Sequence, residues 1–61
     1  MRQDDPDFWD AVATVHRQNA LRWAHDAEQA RARNDMRRYQ RSITSARNEQ
    51  RLAALAELEA G

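Results

Sequence analysis

From Asp7 to Ala60 the chain contains neither glycine nor proline; its one Pro is Pro6 and its one Gly is Gly61. Both strong backbone interrupters therefore sit near the ends, and the stretch between them is rich in Ala, Arg, Gln, Glu and Leu, residues that lose little on entering a helix. An all-α chain, helical almost throughout, is the expectation. Its start is well marked: Asp5 suits an N-cap, Pro6 suits the first helical position, and Asp4, Asp5, Asp7 and Asp10 complement the positive end of a helix dipole.

Along the first half, Trp9, Ala13, His16, Ala20, Trp23, Ala27 and Ala30 recur at alternating steps of four and three, a heptad seam widened on one flank by Phe8, Val12 and Val15. Along the second half, Met36, Tyr39, Ile43, Ala46, Gln50 and Ala53 keep a similar spacing, but the step from Ala30 to Met36 is six residues and breaks the register. At the break stand Arg33, Asn34 and Asp35; Asn accepts the left-handed conformation that ends a helix, and Asp caps the next one. The spacing predicts an antiparallel helical hairpin, with a disordered segment over 1–5, a helix over about 6–33, a turn at about 34 and a helix over about 35–59. A single long bent helix is the alternative. Folding back at Asn34 sets Ala30 by Met36, Ala27 by Tyr39, Trp23 by Ile43, Ala20 by Ala46 and His16 by Gln50, large residues against small.

Of the 25 apolar residues among 61, 12 are Ala, so a core made by one copy is marginal. Trp9 and Trp23 are too large for a two-helix pair to bury, and Leu52, Leu55 and Leu58 point away from the seam, either onto another chain or beyond an interruption near Asn48. The expected fold is a hairpin that pairs into a homodimeric four-helix bundle. Its interface or core residues are Phe8, Trp9, Val12, His16, Ala20, Trp23, Ala27, Ala30, Met36, Tyr39, Ile43, Gln50, Leu52, Leu55 and Leu58. The plan, a hairpin with an Ala-rich seam, is similar to that of plasmid copy-control RNA-binding bundles; the likeness is one of size and plan, shares no motif residues, and carries no function across.

Ten Arg against ten acidic residues, with no Lys, leave net charge zero, yet the charge is unevenly placed. Arg31, Arg33, Arg37, Arg38 and Arg41 crowd the turn beside Tyr39, opposed within that stretch only by Asp35, whereas Asp4, Asp5, Asp7, Asp10, Glu57 and Glu59 gather at the other end. Arg37 with Arg41, and Arg47 with Arg51, are like charges four apart, each unfavourable by about 0.2–0.5 kcal/mol in an isolated helix. An anion should compensate for the turn cluster: either the acidic end of another protein chain, a second copy included, or nucleic-acid phosphate, with Tyr39 as a stacking surface. The dipole favours two copies packed with the basic turn of one beside the acidic end of the other.

Several classes drop out. The longest uninterrupted apolar run is Leu52 to Ala56, far short of a membrane span, and the acidic start does not read as a secretory signal, so the expected location is the cytoplasm. With no Cys there is no disulfide or thiolate chemistry. His16 has no second ligand one turn away and reads as a seam histidine bonded to Gln50 or Asn19; His25 reads as exposed. Ser42 and Ser45 lie within a helix without a base, and no glycine-rich phosphate loop exists, so no enzyme activity and no cofactor are expected. Three functions are left: a self-associating adaptor, regulator or assembly module of a bacterial or phage type; a nucleic-acid-binding bundle using the turn arginines; and a small phage- or plasmid-type inhibitor or accessory subunit that folds on a protein partner.

Overall fold

The computed structural model describes residues 5–61. It contains two helices, α1 (Pro6–Ala32) and α2 (Met36–Ala60), packed against each other as a helical hairpin, so the hairpin rather than the single bent helix is the fold. Of the segment expected to be disordered, residues 1–4 lie outside the described residues; Asp5 belongs to the helix start. Its carboxylate accepts the Asp7 N–H at 2.9 Å, and its carbonyl receives the Phe8 and Trp9 amides, with Pro6 in the first turn.

The chain reverses at Asn34, whose φ of 61° is the one left-handed value among the described non-glycine residues. The Asp35 N–H donates to Ala30 O at 2.8 Å and the Asn34 N–H to Arg31 O at 3.0 Å, the paired bonds of a Schellman ending. Asp35 then caps α2, its side chain accepting the Arg38 N–H at 3.2 Å. Asn34 takes the left-handed position that glycine usually fills, and Asp35 both closes α1 and caps α2.

The buried seam is made of small side chains. α1 contributes Ala13, Ala20, Ala27 and Ala30, and α2 contributes Ser42, Ala46, Ala53 and Ala56. Small residues let two helices approach closely, and the closeness keeps bulky neighbours from turning inward. The α2 side of the seam therefore departs from the sequence reading. Met36 is 49% exposed and Gln50 is exposed, while Ser42 and Ala56 are buried. The residue facing His16 is Glu49, not Gln50 or Asn19. α2 is continuous through Asn48, so no interruption turns the leucines inward; Leu52 is half-buried, and Leu55 and Leu58 are 52% and 76% exposed. The hairpin measures 44 × 13 × 13 Å, and no described helix is long and apolar enough to cross a membrane.

Candidate functional site

Three polar ties cross between the helices. At the turn end, Arg38 grips Asp26 with two guanidinium bonds, Nη2 to Oδ1 at 2.7 Å and Nε to Oδ2 at 3.2 Å, while the buried Ser42 hydroxyl donates to Oδ2 of the same carboxylate. These hydrogen bonds, that to Arg38 first and that to Ser42 second, hold the Asp26 carboxyl down to about 2, and the carboxylate in turn raises the pKa of Arg38. Near mid-length, the His16 ring meets the Glu49 carboxylate at 2.5 Å, both side chains largely covered. Toward the open end, Arg17 pairs with Glu57 at the surface. Every buried side-chain nitrogen and oxygen among the described residues has a hydrogen-bond partner.

Asp26 changes the reading of the arginine cluster. The sequence sets only Asp35 against these arginines, but α1 delivers Asp26 to the same corner, and Arg38 is engaged by it. All five arginines are solvent-exposed, with Tyr39 half-buried. Arg37 and Arg41 line an open recess with Trp23, Asp26, Arg38 and Ser42, whereas Arg33 borders a second, smaller recess with Gln29 and Ala30. Arg31 belongs to neither lining, so the cluster is spread around the turn instead of converging on one point.

The apolar residues expected at an interface divide by helix face. Ala20, Ala27 and Ala30 are consumed by the seam. Phe8, Trp9, Val12, His16, Tyr39, Ile43 and Leu52 are half-buried, Trp23 is 37% exposed, and Met36, Leu55 and Leu58 are open to solvent. Phe8 and Trp9 stack edge to face with ring centres 5.0 Å apart. Trp9, Val12 and His16 of α1 line a groove with Leu52, Leu55, Ala56 and Glu59 of α2. One face of the hairpin thus carries an apolar groove at its open end and the Trp23 ring farther along. Val15, on the expected flank of the seam, is 52% exposed, and Leu21, 72% exposed, adds apolar surface that sequence reading did not place at an interface.

No group of three or more His, Asp or Glu able to hold a metal ion occurs among the described residues. No protein-family model matches the chain, and neither the curated proteins nor the solved structures yield a match.

Proposed function

We propose that the protein is a non-enzymatic, self-associating helical module, two hairpins pairing into a four-helix bundle that acts as an adaptor, regulator or assembly piece in the cytoplasm. One observation carries this reading: the seam within one chain is built from Ala and Ser, while Trp23, Met36, Val15, Leu21, Leu55 and Leu58 are between 37% and 76% exposed. Burying a large apolar side chain is worth about 1.5–3 kcal/mol, so a hairpin that leaves this set wet forfeits a sum comparable with the stability of a small domain. A second chain recovers the part of it carried by Trp23, Leu55 and the other side chains on the face it covers.

Sedimentation equilibrium with circular dichroism over a dilution series tests the proposal. The expected result is a dimer whose helicity falls on dilution. A folded monomer at micromolar concentration would overturn it, and an unfolded monomer would assign those side chains to a different protein partner.

Arg37 and Arg41 beside Trp23 support a second reading, a nucleic-acid-binding bundle, because forked guanidinium donors next to an aromatic ring suit phosphate and an unstacked base. Its test is a salt-dependent gel shift with RNA and DNA. Absence of binding at low salt would end it.

A further inference from the structure

We infer that the second copy docks on the face bearing Trp9, His16 and Trp23, antiparallel to the first, about a two-fold axis at the level of His16, so that Trp23 of each chain enters the groove beside Trp9 of the other. This rests on the self-association proposed above and specifies its geometry.

The three residues lie seven apart in α1, so Trp9 and Trp23 stand about 10.5 Å to either side of His16 along the helix. A two-fold axis across the hairpin at His16 exchanges positions equally far from it and brings Trp9 of one copy to the level of Trp23 of the other. The two levels are complementary in what they hold. At Trp9 there is an open groove of about 530 Å³ lined by Val12, Leu52 and Leu55; at Trp23 there is a ring bordering two recesses whose other walls are polar, Asn19, Arg22, Asp26 and Glu49 on one side and Arg37, Arg41 and Ser42 on the other. An aromatic ring 37% exposed among polar recess walls and an open apolar groove form a self-matching surface of the kind a two-fold interface requires.

Charge selects the same arrangement independently. Glu49 lies opposite His16, so the axis passes near it on α2. Ten residues toward the C-terminus is Glu59, which borders the groove; ten residues toward the turn is Tyr39, with Arg41 two residues from it. The antiparallel pairing places Glu59 of one copy by Arg41 of the other, twice over. A parallel pairing places arginine turn on arginine turn and acid on acid.

Val12 and Asn19 stand four and three residues to either side of His16, so Val12 of each copy comes within about 1.5 Å of the level of its partner's Asn19. The chain has no Cys, and two positions seven apart on one helix are about 10.5 Å distant, beyond the span of a disulfide within a chain. Val12→Cys and Asn19→Cys are therefore oxidised separately and as an equimolar mixture, with sedimentation run on the same samples. The expected result is a mixed 12–19 disulfide whose yield exceeds several-fold that of either variant alone. Glu59→Arg and Arg41→Glu should each weaken the dimer about tenfold at low salt, and combining them in one chain should restore it. A sedimenting dimer in which position 12 links only to itself, or whose affinity ignores both charge reversals, overturns the docking geometry and leaves self-association standing. A folded chain that never sediments as a dimer overturns both.

Discussion

Asp26 is the residue on which the turn end closes, since its two oxygens take two bonds from Arg38 and one from Ser42. The carboxyl is held at about 2, below the ordinary aspartate value of about 3.9. A folded-state value below the unfolded one means that the ionised form stabilises the fold. That contribution is fully present above about pH 4 and is lost as the pH falls toward 2. Asp26→Asn should therefore unfold more easily than wild type near neutrality, and the gap should close between about pH 4 and 2, as read from urea midpoints at each pH. Arg38 behaves differently from its neighbours for the same reason. Arg38→Gln should lower the urea midpoint, whereas Arg37→Gln should leave it at or slightly above wild type, because it removes a like charge four residues from Arg41. Sequence reading grouped Arg37, Arg38 and Arg41 as one cluster; the separation of Arg38 needed the position of Asp26, 12 residues away and on the other helix, which no local spacing reveals.

At the scale of the elements, the turn and the seam are the two features that make a hairpin from one continuous helix-forming sequence. Asn34 holds a left-handed conformation, which an alanine adopts at a penalty of about 1–2 kcal/mol. Asn34→Ala should destabilise by about 1 kcal/mol and Asn34→Gly should not, as judged by thermal or urea unfolding. Ala20→Leu should destabilise by about 1–3 kcal/mol despite its better hydropathy, because the seam has no room for it. The seam in α1 was legible in the sequence: Ala13, Ala20 and Ala27 fall on the expected heptad stripe and are buried. In α2, the spacing that begins at Met36 found the buried Ala46 and Ala53 but took in Met36 and Gln50, both exposed, whereas close packing selects for smallness and buries Ser42 and Ala56. Ser42, Ala46, Glu49, Ala53 and Ala56 follow one another at steps of four and three, and that second stripe of mostly small residues was the available signal. The two short helix-end devices, Asp5 and Asn34 with Asp35, were legible because capping is local chemistry. The His16 partner was not, because rotation of α2 by one position exchanges Gln50 for Glu49.

For the whole molecule, small residues lie inside and large ones outside, so on the proposed self-association much of the stability resides between chains. Trp23→Ala and Leu55→Ala should each shift the equilibrium toward monomer, by about 1–2 kcal/mol per half-exposed side chain, seen as an unfolding temperature that depends more steeply on protein concentration. The alanine seam has a thermal consequence as well. Heat capacity on unfolding rises with the apolar surface delivered to water, and a seam of Ala and Ser delivers little. The hydration that gives a stability curve its curvature resides in the side chains outside the seam, so the enthalpy of separating two copies should climb steeply with temperature while the enthalpy of opening one hairpin should climb slowly. Dilution calorimetry at several temperatures reads the first of these. If two copies associate as proposed, cooling should loosen the association as heating does, and helicity should fall with it at the cold end.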